Sequence, residues 1–196
     1  MSGWTHHEGL AVGLPRENVD TDQLIPARFM ATPRSEGYGR FLLHDLRGDG
    51  FPLDAPEADG ASVLIARRNF GSGSSREAAV YALVDAGFRA VIAPSFGDIF
   101  AGNAVNNGLL PAVADAETVE TLLAAAPVTL AIDLDAGTVR GGGVAIHLTL
   151  DPTAMLKLRE GLDDIDLTAR HAGEIAAYRE RLASERPWTW PREADA

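Results

Sequence analysis

Gly71-Ser72-Gly73-Ser74-Ser75-Arg76-Glu77 gathers the residue types that hold an anion. Glycines let the backbone approach a ligand closely. N–H groups at a helix start, with the helix dipole behind them, favour negative charge. Ser74 and Ser75 add hydroxyls, and the Arg76 guanidinium is a planar fork that grips a carboxylate through two hydrogen bonds. The stretch reads as a site for a carboxylate or a phosphate. A dinucleotide loop would place a third glycine where Arg76 stands, and an acid near the end of the next strand, where Ala93-Pro94-Ser95 occurs instead. A P-loop is excluded, because no Gly-Lys-Ser/Thr follows. The same composition also suits a Gly/Ser-rich helix cap, with Ser74 or Ser75 as the capping residue.

A second polar cluster is Asn18-Val19-Asp20-Thr21-Asp22-Gln23-Leu24-Ile25-Pro26-Ala27. Asp20 and Asp22 alternate as metal ligands do, but the third ligand and distal glutamate of an EF-hand are missing. The segment reads as an Asx-turn and cap entering a short helix. His6, His7, His44, His147 and His171 show no i,i+4 or metal-type clustering, so no metal ligand is assigned.

These residues need elements to position them. Ala61–Ala66 and Phe88–Ala93 are short apolar runs that read as buried strands. Between them Ser75–Ala86 favours a helix, ended by Gly87. The unit is most simply a right-handed βαβ crossover with the Gly-Ser loop at its first turn. A helix from Ser95 or Asp98, ending at Asn106-Asn107-Gly108, then a strand over Leu109–Val113 and a helix over Thr118–Ala126 continue the pattern. Val128–Asp133 and Val144–Leu150 read as antiparallel strands around Gly141-Gly142-Gly143. Asp45–Gly60, rich in Gly, Asp and Pro, reads as a surface loop. His171–Ala183 favours a helix, and residues 184–196 an irregular tail.

The 196 residues suffice for one α/β domain with a substantial core, here 1–196, with helices flanking a mixed sheet. The net charge of −11 argues against a nucleic-acid partner, which needs a basic surface. With no cysteine in the chain, it forms no disulfide, offers no thiolate to an iron–sulfur cluster or zinc, and has no thiol nucleophile. No run approaches the roughly 18–20 apolar residues of a membrane span. The first residues lack a basic region followed by an apolar run, so the expected compartment is the cytoplasm, with no membrane partner.

Six segments in order resemble the small subunit of 3-isopropylmalate dehydratase, the leucine-biosynthesis relative of aconitase. They are Asn18–Phe29, Gly39–Arg47, Ala66–Glu77, Gly87–Phe100, Asn106–Pro111 and the tail Gly161–Trp188, which resembles the bacterial form rather than the shorter archaeal one. The resemblance implies a single swivelling β/β/α domain like the C-terminal domain of aconitase. It implies a hydro-lyase that moves a hydroxyl between adjacent carbons of a substituted malate. It also implies a hetero-oligomer with a large subunit, which carries a [4Fe–4S] cluster; none is bound by this chain. Ser74 then corresponds to the catalytic base, and Gly73, Ser75 and Arg76 to the binders of the substrate carboxylate. The segment after Pro26, with Arg28, Phe29, Met30 and Arg34, corresponds to a loop that selects the substrate's side chain; the alternative for it is disorder. Three positions depart from the family pattern: Ser72 replaces a cysteine, Ala78 a histidine, and Arg68 an acid. They leave open a paralogue acting on another 2-substituted malate, or a non-catalytic subunit that binds carboxylates.

Overall fold

A computed structural model describes residues 3–189. The chain divides into two compact units, Met1–Gly161 and Leu162–Ala196. In the first, apolar runs become strands wherever both faces can be covered. Strands β2 (Val63–Ala66) and β3 (Ala90–Ala93) are buried at every position and lie parallel. That is why they appear in the sequence as unbroken apolar runs rather than as alternation. Strand β4 (Leu110–Val113) extends the parallel set on the far side of β3.

Strand β1 (His6–Leu14) is the hinge between two kinds of sheet. It is parallel to β2 and antiparallel to β5 (Val128–Asp133). Hairpins then add β6 (Thr138–Gly141) and β7 (Val144–His147), giving the order β4-β3-β2-β1-β5-β6-β7. This corrects the expected pairing of Val128–Asp133 with Val144–Leu150. Strand β6 lies between them, and the Gly141-Gly142-Gly143 turn joins β6 to β7.

Side chains alternate across the sheet and build a core on each face. Leu64, Ala66, Val91 and Ala93 face α1 (Thr21–Leu24), α2 (Ala78–Asp85) and the Phe100 side of α3 (Asp98–Asn106). Val63, Ile65, Ala90 and Ile92 face α4 (Ala116–Ala125) and α5 (Pro152–Glu160). The result is an α/β fold, a mixed sheet flanked by helices. Asp45–Gly60 is more than a surface loop: short 3-10 turns run through it and bury Phe51 and Ala58 in the first core.

In the second unit, α6 (Asp164–Ala169) starts on a capping box between Asp163 and Asp166. Helix α7 (Ala172–Glu185) runs two residues past the expected end and is followed by a 3-10 turn at Pro187–Thr189. The remainder of the expected irregular tail lies outside the described residues. No helix among the described residues is long and apolar enough to cross a membrane.

Candidate active site

At the C-terminal ends of β1 and β2 two loops run side by side and continue the parallel pairing beyond the sheet. The Gly71 amide donates to the Val19 carbonyl at 2.7 Å and the Thr21 amide to the Ser72 carbonyl at 3.0 Å. Asp20 and Ser72 form an isolated parallel bridge. Ligand sites of open α/β sheets lie at this strand end. Two asparagines begin the loops, Asn18 at φ 54° and Asn69 at φ 61°. Both occupy the left-handed region, which Asn tolerates better than most residues. The Asn69 Nδ2 donates to Asn18 Oδ1 at 2.8 Å, which ties the two loop origins together.

Asp20 is committed to structure. Its carboxylate accepts from the Gln23 amide at 2.7 Å and completes a capping box for α1. This agrees with the capping reading of that segment. Asp22, two residues on, points instead to the Gly-Ser loop and forms an ion pair with Arg76. Arg76 is therefore partly buried beside a carboxylate from a segment that is remote in sequence.

Gly71 and Gly73 have positive φ, +71° and +90°. A Cβ on Gly71 would stand 2.1 Å from the Phe100 ring, so close packing demands glycine there. Beyond Gly73, the Ser74 and Ser75 side chains are exposed, and neither hydroxyl has a hydrogen-bond partner among the described residues. They do not cap the helix. Helix α2 begins only at Ala78, and its N-cap residue, Glu77, makes no side-chain cap bond. The expected helix start at Ser75 is thus moved by three residues, because the backbone from Ser72 to Ser74 bonds to Thr21 instead. Glu77 accepts from Asn107 Nδ2 at 2.8 Å. It also faces Tyr81, whose phenol is pushed above its ordinary pKa by burial first and by the Glu77 charge second.

The stretch after Pro26 is ordered in 3-10 turns at Ala27–Ala31 and Arg34–Glu36. Phe29 stacks on Phe41 with ring centroids 4.3 Å apart, and both Phe29 and Met30 pack against the first core. Both guanidinium groups are engaged within the chain. Arg28 pairs with Asp45, and Arg34 grips Asp85 at 2.6 and 2.9 Å while lying 4.4 Å over the Tyr81 ring. Arg68, one of the departures from the family pattern, is matched locally by Glu17 at 2.8 Å. The sequence had marked the Gly-Ser loop but not its supports, Thr21 and Asp22. Their pairing across more than fifty residues leaves no local trace; only the polar density of Asn18–Gln23 hinted at it. Away from this site, His6, Asp133 and Asp135 bring three donor atoms within 4.8 Å of one another. Asp135 is ion-paired with Arg159 and Asp133 accepts the Ala136 amide, so both carboxylates already have partners.

The model of the aconitase C-terminal domain matches residues 1–117, which contain the two loops just described. A 3-isopropylmalate dehydratase small subunit of Frankia alni is 49% identical over 183 residues, covering 91% of this chain and 94% of that protein. The one from Streptomyces coelicolor is 42% identical over 194 residues, covering 96% and 98%. The crystal structure of a 3-isopropylmalate dehydratase from Methanocaldococcus jannaschii superposes with a TM-score of 0.69 at 28% identity, covering 88% of this chain and 99% of that one. The chain belongs to the 3-isopropylmalate dehydratase small-subunit family, and its parallel strands β1 to β4 lie within the part that matches the aconitase C-terminal domain.

Proposed function

We propose that this chain, 1–196, is the small subunit of a cytoplasmic hydro-lyase that interconverts 2-isopropylmalate and 3-isopropylmalate in leucine biosynthesis. It works by dehydration and rehydration together with a large subunit. One observation carries the reading: two serine hydroxyls stand exposed, with no hydrogen-bond partner among the described residues, on a loop whose next residue is a held arginine. The proton to be removed lies α to a carboxylate and is very weakly acidic. Ser74 Oγ is assigned as the base, deprotonated with the help of main-chain N–H donors and the Arg76 charge, which favour an oxyanion. Ser75 Oγ, the Gly73 backbone and Arg76 hold the substrate carboxylate, for which the Arg76 fork is suited. The proton taken up by Ser74 Oγ returns to the neighbouring carbon on rehydration, so the serine ends each turnover unchanged. Phe29 and Met30 supply apolar surface for an isopropyl group, and Arg28 and Arg34 brace that surface through Asp45 and Asp85.

The chain has no thiolate with which to hold an iron–sulfur cluster, so a [4Fe–4S] group is assigned to the large subunit. There it would supply Lewis-acid assistance to the departing hydroxyl. The test is Ser74→Ala in the reconstituted complex. Loss of a general base lowers kcat by about 10²–10⁴, while the melting temperature should hold, since the hydroxyl has no bonded partner among the described residues. Near-wild-type kcat would remove Ser74 from the chemistry.

A further inference from the structure

Thr21 is one of the few buried polar residues among the described residues, 2% exposed. It is bonded twice to the Gly-Ser loop. Its amide donates to the Ser72 carbonyl at 3.0 Å and its Oγ1 donates to the Ser74 carbonyl at 3.1 Å. Each of those carbonyls shares a planar peptide with the N–H of the next residue, Gly73 or Ser75. Both peptides are trans, because the described cis bond is Ala126–Pro127. In a trans peptide C=O and N–H point in opposite directions. Drawing the Ser72 and Ser74 carbonyls toward α1 therefore turns the Gly73 and Ser75 amides away from it. Neither amide donates a hydrogen bond among the described residues.

We infer that Thr21 is a positioning residue of the active site: by holding the carbonyls of Ser72 and Ser74, it aims the amides of Gly73 and Ser75 at the anion bound or formed on the loop. The inference rests on the proposed role of the Ser74 loop. Thr21 itself touches no reacting atom. The amide bond to Ser72 survives any substitution other than proline, so the hydroxyl is the separable part. It fixes the Ser74–Ser75 peptide, next to the reacting oxygen, where a rotation misdirects a donor without unfolding the loop.

The experiment compares Thr21→Val, Thr21→Ser and Ser74→Ala, each reconstituted with the large subunit. The readouts are kcat and KM for isopropylmalate and the melting temperature. Valine matches threonine in shape and lacks only the hydroxyl. Loss of one hydrogen bond that acts in the transition state corresponds to a kcat lower by about three- to tenfold. KM and melting should change little, and serine should restore kcat to within about twofold, the resolution of such a comparison. If valine does not fold, Thr21→Ala takes its place in the comparison with serine. Wild-type kcat in the hydroxyl-free variant, with Ser74→Ala inactive, overturns the positioning role alone. A serine variant as impaired as the valine variant also overturns it, since the methyl would then matter rather than the hydroxyl. Retained activity in Ser74→Ala instead overturns the reading of the loop on which the inference stands.

Discussion

Gly71→Ala is the sharpest test of how the loop is held. Two separate effects are worked from the structure. First, Gly71 sits at φ +71°, where an alanine costs about 1–2 kcal/mol. Second, its Cβ would lie 2.1, 2.5 and 2.6 Å from three carbons of the Phe100 ring. That ring cannot swing aside, because it is buried between Phe70 and Phe96, at centroid distances of 5.4 and 6.2 Å. Overpacking of this kind costs about 1–3 kcal/mol. The total of about 2–5 kcal/mol should lower the melting temperature by about 4–20 °C for a chain of this size. Gly73→Ala is the control. Its φ is +90°, but the new Cβ would be 3.5 Å from Asp20 Cβ, an ordinary contact. Only the backbone effect remains, a loss of about 2–8 °C. A double-mutant cycle with Phe100→Ala, read from denaturant midpoints, isolates the clash: without the ring, Gly71→Ala should cost only the backbone part, about 1–2 kcal/mol. Equal costs with and without the ring, or a Gly71→Ala melt no lower than that of Gly73→Ala, would refute the packing argument.

Three further outcomes are expected. Arg76→Lys should raise KM for isopropylmalate with little change in melting, because an ammonium cannot grip a carboxylate through two parallel bonds; an unchanged KM would take Arg76 out of the binding site. Replacing Arg28–Arg34 with the segment of a relative of different substrate should shift the kcat/KM ratio between 2-substituted malates more than total activity, and a constant ratio would end the specificity role. His7, bonded to Ser62 Oγ at 2.8 Å, has its pKa held below 6.5, by burial first and by the Arg89 charge second. The unfolded chain therefore takes up the proton more readily. Its contribution to stability is complete above pH 6.5 and is lost as the pH falls through the lowered folded value. Melting temperatures from pH 8 to pH 5 should fall further for the wild type than for His7→Gln, and parallel curves would contradict this.

What could be read in advance divides along a physical line. Val63–Ala66 and Ala90–Ala93 announced themselves because strands buried on both faces are apolar throughout. The Gly-Ser loop was visible because glycines, serines and an arginine crowd into seven residues between a buried strand and a helix. Strand β1 escaped notice: His6, His7 and Glu8 open it, and Gly9 and Gly13 interrupt the pattern, so its identity rests on its neighbours β2 and β5. Strand β6 is four residues long, and Arg140 and Gly141 hide it between glycine turns. Helix α2 was placed three residues early because serines favour helix starts, whereas here a remote threonine claims the loop backbone. The same holds for the candidate site: the exposed serines and Arg76 are local in sequence, and Thr21 and Asp22, which bond to their loop, are not.

Strand β1 also governs what a ribosome can release safely. The segment matched by the aconitase-domain model, residues 1–117, holds both loops of the site and β1 to β4. It lacks β5, whose backbone pairs with β1 from His6 to Ala11. A nascent or truncated chain of that length would display the free edge of its own central strand, open to pairing with another copy. The matched segment and the closed sheet therefore have different ends. A fragment that carries every proposed catalytic group but stops before β5 is expected to aggregate, because the hairpins that close the sheet lie beyond it.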